Sequence, residues 1–166
     1  MSEAERTAPD KSRSRCIAVR VGTALYGLPV EHVQEVIGMR PITRVFHAPA
    51  ALAGVTNLRG EVLPVIELGL LLGGDAELPT SQARIVVVRE SSGQKRRAGL
   101  RVDELSGLRD LPKELAPAPS TAGERARAAI RGVIPEAPPC AVLEVPSLLD
   151  SPLLAALSGR GESGAQ

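Results

Sequence analysis

The sequence predicts an all-β protein made of two small barrels, or strongly curled sheets, packed on each other. Three observations carry that expectation. Short apolar runs recur along the chain, alternating with period two or rich in Val, and Gly, Pro, Asn and Ser separate them as they separate strands. The chain also repeats itself: residues 27–36 and 99–108 share glycine, leucine, any, valine, acid, any, aliphatic, any, any, aliphatic. Further on, Gly54-Val55 is echoed by Gly132-Val133. Ile66-Glu67-Leu68 before Leu71-Leu72 is echoed by Leu143-Glu144-Val145 before Leu148-Leu149. Correspondences in the same order imply a duplicated β unit, and two copies are too few for a solenoid, so each must close its own edges.

The elements follow in order. Ile17, Val19 and Val21 alternate with Ala18 and Arg20 as in a half-buried strand, Gly22-Thr23 turns, and residues 25–28 return. Pro29 interrupts the ladder, and Val30 and Val33 suggest a helical turn before a strand over 35–37. Residues 42–46 alternate again and His47-Ala48-Pro49 turns. Residues 54–68 then read as strand, turn and strand around Asn57-Leu58-Arg59-Gly60, with a short helix at 70–72 stopped by Gly73-Gly74. Residues 73–82 have a loop composition. The pattern restarts with a Val-rich strand over 84–90, a turn at 91–93 and a return strand over 98–105. Residues 116–123 read as an exposed loop. Residues 124–130 offer no apolar packing face and are also assigned to loop, and 152–157 suit a terminal helix. Polar tails are expected over 1–14 and 159–166 around one domain, 15–158, with approximate lobes at 16–74 and 83–150.

Composition narrows the function. A chain of 166 residues buries roughly 70 % of the surface it exposes when unfolded, enough for one domain or two packed halves. Lys and Arg number 20 against 19 Asp and Glu, so no strong field draws nucleic acid or acidic lipid. Tyr26 and Phe46 are the only aromatics, which also argues against base stacking. Cys16 and Cys140 stand far apart and in no CxxC spacing, so a disulfide framework or zinc site is not expected and a reducing cytoplasm is. No apolar run reaches 18 residues, and membrane contact is not expected.

No catalytic set emerges. His32 and His47 lie in no nucleophile–base motif and are expected at the surface or rim. No phosphate-binding glycine motif occurs, and the basic run 94–97 sits beside a hairpin turn, where a solvated face is expected. Glu67 and Glu144 precede short helices and read as capping groups. An enzyme on a small-barrel scaffold would need convergent polar groups, and an oligonucleotide-binding barrel would need basic and aromatic surface. Arg59 stands out: a guanidinium between apolar strands either reaches solvent or pairs with a carboxylate, and Glu35 is the candidate partner.

With the strings at 33–36, 54–60 and 62–68, the chain resembles the CheW family of bacterial chemotaxis adaptors over about residues 16–157. That resemblance implies two intertwined five-stranded SH3-like barrels, no enzymatic activity, and no cofactor or metal. It implies a cytoplasmic protein that joins the helical hairpin of chemoreceptors to the histidine kinase CheA, in arrays where other CheW-like domains are further partners. A regulatory module acting on a kinase outside such arrays is the alternative. By motif position Glu35 and Arg59 match the family's interacting pair, and Val33, Val36, Gly54, Asn57, Gly99, Leu105 and Leu108 match partner-binding positions. The second half departs from the pattern in its 135–139 turn, Pro-Glu-Ala-Pro-Pro, and in Gly107 and Arg109.

Overall fold

A computed structural model describes residues 14–75, 78–90, 96–119 and 123–150. The expected turn at 91–93, the helix at 152–157 and all of both tails except Ser14 lie outside these residues. Ser14 itself opens the first strand, β1 (Ser14–Val21). Gly22, with φ 62°, turns the chain into β2 (Ala24–Pro29). One 3-10 turn (Val30–His32) leads to β3 (Val33–Gly38). Next come β4 (Leu52–Leu58), β5 (Glu61–Glu67) and the short helix α1 (Leu68–Leu71). The second half supplies β6 (Arg84–Arg89), β7 (Arg97–Val102), β8 (Glu104–Leu111), α2 (Glu124–Ala129), β9 (Ile130–Ile134), β10 (Cys140–Leu143) and α3 (Val145–Leu149).

These strands form two five-stranded sheets, ordered β8-β1-β2-β10-β9 and β3-β6-β7-β5-β4. Shifting every strand number by five turns one order into the other, so the sheets are pseudo-equivalent. Each sheet takes strands from both sequence repeats. The lobes drawn at 16–74 and 83–150 therefore do not coincide with the two sheets: after its first hairpin, each repeat crosses to the other sheet. The crossings are β2 to β3 and β7 to β8, which lie within the matching segments 27–36 and 99–108. Gln34 and Ser106 fall at register shifts in β3 and β8, an extra residue at the same place in each repeat.

Three apolar clusters follow from this exchange. Ile37, Leu58, Leu63, Val65, Ile85 and Val87 fill one barrel. Cys16, Ala18, Ile134, Cys140 and Val142 fill the other. The third joins residues of both sheets, among them Val19, Leu28, Ile66, Val86, Val88 and Leu100. Strand β6 is buried on both faces for this reason: Ile85 and Val87 point into a barrel, Val86 and Val88 into the shared core.

Three element assignments need correction. Residues 42–46 form no strand, only a bridge between Thr43 and Val55. The strand expected over 98–105 breaks at buried Asp103, whose carboxylate accepts the Gly22 amide at 2.7 Å and fixes the crossing to the β1–β2 hairpin. Residues 124–129, assigned to loop for want of a packing face, are helical: Ala126 and Ala129 are buried, so two small methyl groups supply that face. Glu67 and Glu144 stand at helix N-cap positions but make no side-chain capping bond. Glu67 instead pairs with Arg101 in the interior and Glu144 with Arg131 near the surface. His32 is buried, not at a rim, with its Nδ1 3.2 Å from the Arg89 carbonyl oxygen.

Candidate interaction surface at the β4–β5 hairpin

Leu58 faces Glu61 across the end of the hairpin, leaving Arg59 and Gly60 as a two-residue turn. Both have positive φ, 51° and 84°, as a type I′ turn requires to match the twist of its strands. Gly60 adopts this freely; Arg59 does not. Asn57 stabilises the turn by accepting the Gly60 amide at its Oδ1, 2.9 Å away, while Leu58 is buried as an apolar anchor. The Asn-Leu-Arg-Gly string thus supplies, in order, a cap for the turn, a buried anchor, a presented cation and a hinge.

Arg59 reaches Glu35 in a two-pronged pair, Nη1 to Oε1 at 2.5 Å and Nη2 to Oε2 at 2.6 Å. The arginine hydrogen bond, more than any other influence, holds the Glu35 carboxyl below the ordinary carboxylate range. Arg59 is 69 % exposed and Glu35 22 %, so the pair lies at the surface and was not drawn inside by the apolar strands around it. A surface pair adds little to stability, but it fixes a charged group in one orientation. Its position in the sheet matters too. Strands β3 and β4 are the two edges of their sheet, so Glu35 clasps the hairpin across the seam where the barrel closes. The same seam holds Arg40 Nη1 on the Asn57 carbonyl at 3.1 Å, Thr56 Oγ1 on the Pro41 carbonyl at 2.8 Å, and the Thr43–Val55 bridge.

The other barrel closes in the same way. Ala116 bridges Val133, and on edge strand β8 Arg109 donates to the carbonyls of Pro138 at 2.7 Å and Glu136 at 3.2 Å. Two of the three departures noted in the second half are therefore partners: the proline-rich turn is clasped by Arg109.

The remaining candidate positions divide by exposure. Leu108 and Leu105 on β8 are 60 % and 38 % exposed, and Asn57 is exposed. Val33 and Val36 are half-buried against the shared core. Gly54 and Gly99 are buried. A side chain on Gly54 would meet the Thr43 carbonyl at 2.2 Å and one on Gly99 would meet Ile85 at 2.5 Å, so these glycines make room for this chain's own residues. Val62, beside Asn57 in register and 71 % exposed, was missed; its place in an apolar strand concealed that its side faces outward. In the basic run, Arg96 pairs with Glu90 and Asp150, and Arg97 with Glu61. Gln94 and Lys95 lie outside the described residues.

The CheW-like domain family matches residues 15–153. The chain belongs to the CheW family. Among curated relatives, it is 37 % identical over 119 residues to the chemotaxis protein CheW of Rhizobium meliloti (strain 1021), spanning 71 % of this chain and 75 % of that one. A solved structure titled as the scaffolding protein TtCheW from Thermoanaerobacter tengcongensis superposes with a TM-score of 0.71 at 25 % identity, covering 83 % of this chain and 88 % of that one. The two sheets are the two SH3-like subdomains of the CheW fold. The chain also matches 91 residues of chemotaxis protein CheA from Salmonella typhimurium (strain LT2) at 34 % identity, 55 % of this chain but 13 % of that protein. A CheW-like segment thus lies inside that much longer chain. No helix among the described residues is long and apolar enough to cross a membrane.

Proposed function

We propose that this protein is a non-enzymatic cytoplasmic adaptor that couples chemoreceptors to a CheA-type histidine kinase. The observation that carries the reading is the double similarity, to CheW over most of the chain and to a segment of CheA. Two proteins that share a CheW-like segment can dock through pseudo-equivalent edges, and a chain with two such barrels offers a second surface to another partner. Glu35, Arg59 and Asn57 form the polar part of one surface, with Val62 beside them. Leu105 and Leu108 offer exposed apolar anchors on the other sheet, and an amphipathic helical hairpin docks by laying an apolar stripe on such residues. Val33 and Val36 support the β3 edge from below, and Gly54 and Gly99 shape it without touching a partner.

Individual contacts of this size are weak, on the order of micromolar, and arrays add avidity. Leu108→Asp should abolish co-sedimentation with receptor and CheA while the circular dichroism spectrum stays that of wild type, because the side chain is exposed. Wild-type-like binding by this variant overturns the assigned surface. Failure of the wild-type protein to bind either a receptor or a CheA from its own cell overturns the adaptor reading.

A further inference from the structure

Inside the barrel of sheet β8-β1-β2-β10-β9, Cys16 and Cys140 have no exposed surface. They sit on strands either side of β2, at the β carbon that Gly27 lacks: a side chain there would lie 3.0 Å from Cys16 Sγ and 3.3 Å from Cys140 Sγ. Each thiol acts on the other: Cys140, with burial, pushes the Cys16 thiol up, and Cys16 brings the Cys140 thiol down. Arg109, from β8, also favours the thiolate of both. The duplicated barrel shows what packing alone demands here. There the equivalent glycine, Gly99, is flanked by Ile85 and Leu63, so hydrocarbon fills the same two positions and sulfur is not needed to fill them.

A disulfide does not suit this arrangement. Strands lie about 4.8 Å apart, so two backbones separated by β2 are on the order of 9.6 Å apart across the sheet, and Cys16 and Cys140 are further offset along it, opposite Pro29 and Leu25; both exceed the roughly 7 Å that a disulfide tolerates between Cα atoms. Sulfurs that converge while their backbones stay apart suit an atom placed between them. Among the described residues no third His, Cys, Asp or Glu joins the pair, which excludes the four-ligand tetrahedron of structural zinc. Soft thiolates without oxygen donors select Cu(I), an ion that accepts two sulfurs in line. We propose that Cys16 and Cys140 form a buried two-thiolate site for Cu(I). Binding releases two thiol protons and leaves one net negative charge, which the Arg109 guanidinium offsets.

The test is anaerobic competition for Cu(I) held in its coloured bicinchoninate complex, using the full chain, whose two cysteines are the only thiols. One equivalent should transfer to the wild-type protein, with transfer increasing as pH rises, and either Cys16→Ala or Cys140→Ala should lose it. Gly27→Ala keeps both thiols but puts a methyl group between them, and it should lose binding too, with circular dichroism checking the fold. No transfer to wild type overturns the site. Two equivalents in wild type with one retained by each single variant also overturns it, since the thiols then act independently.

Discussion

At Arg59 the backbone and the side chain have opposing preferences. A left-handed conformation disfavours any residue with a Cβ, yet this position presents the guanidinium to Glu35 and to solvent. Comparing Arg59→Ala with Arg59→Gly separates the two, since both lose the pair and only glycine relieves the backbone. Arg59→Gly should show the higher thermal midpoint, and both should bind CheA more weakly than wild type; equal midpoints would remove the strain from the account. Arg101 and Glu67 pose the opposite case. Arg101 Nη1 contacts both carboxylate oxygens of Glu67, Oε2 at 2.8 Å, in the interior. Arg101→Ala strands a buried charge and should cost about 3–5 kcal/mol in urea denaturation, whereas Glu67→Leu with Arg101→Met should lie much nearer wild type. Burial, opposed by Arg101, raises the Glu67 carboxyl above its ordinary 4.5. The folded state therefore holds this proton more tightly than the unfolded chain. Its contribution to stability is fully present below the unfolded value and is lost as pH rises through the folded one. Glu67→Gln should flatten that part of the pH–stability curve, and an unchanged slope would show that Glu67 does not supply it.

The elements show why some of this was legible and some was not. Strands β1, β2, β4, β5 and β6 announced themselves because one face or both had to be apolar, and Gly22 and Gly60 marked turns that need positive φ. Asn-Leu-Arg-Gly pointed to Glu35 because a lone cation between strands needs a counter-charge. Other features depend on contacts distant in sequence. Nothing near Thr43 says that it will bridge Val55, nor can Ala126 and Ala129 reveal locally that a close-packed surface awaits two methyl groups. Glu67 preceded a helix as a cap would, and only the parallel pairing of β5 with β7 brings Arg101 beside it. Gly54 and Gly132 were legible as a repeat but not as a cause. Their added side chains would meet Thr43 O at 2.2 Å and Leu115 Cβ at 2.5 Å, each beside the bridge that closes a barrel. Gly54→Ala and Gly132→Ala should therefore each destabilise by about 1–3 kcal/mol, while Gly38→Ala, with nothing within 4 Å, should be close to neutral. A Gly54→Ala variant as stable as Gly38→Ala would show that the seam can yield.

For the whole molecule, the exchange of strands means that the repeat in sequence is not a folding unit. A fragment cut at the repeat boundary, residues 14–75, holds β1 to β5 but completes neither sheet alone. Two copies, however, can supply each other's missing strands in the observed order. In ultracentrifugation this fragment should be a dimer if folded, and a folded monomer would contradict the pseudo-equivalence of the sheets. The same topology bears on synthesis. The sheet β3-β6-β7-β5-β4 is contiguous, 33–102, and is complete as soon as its last strand leaves the ribosome. The first hairpin, 14–29, emerges earlier but has its remaining neighbours at 104–143. At ordinary translation rates that is a delay on the order of ten seconds, during which the edges of β1 and β2 lie open. The nascent chain therefore finishes its second-encoded barrel first and carries its opening hairpin unpaired until the end, which makes that hairpin the segment most in need of a chaperone.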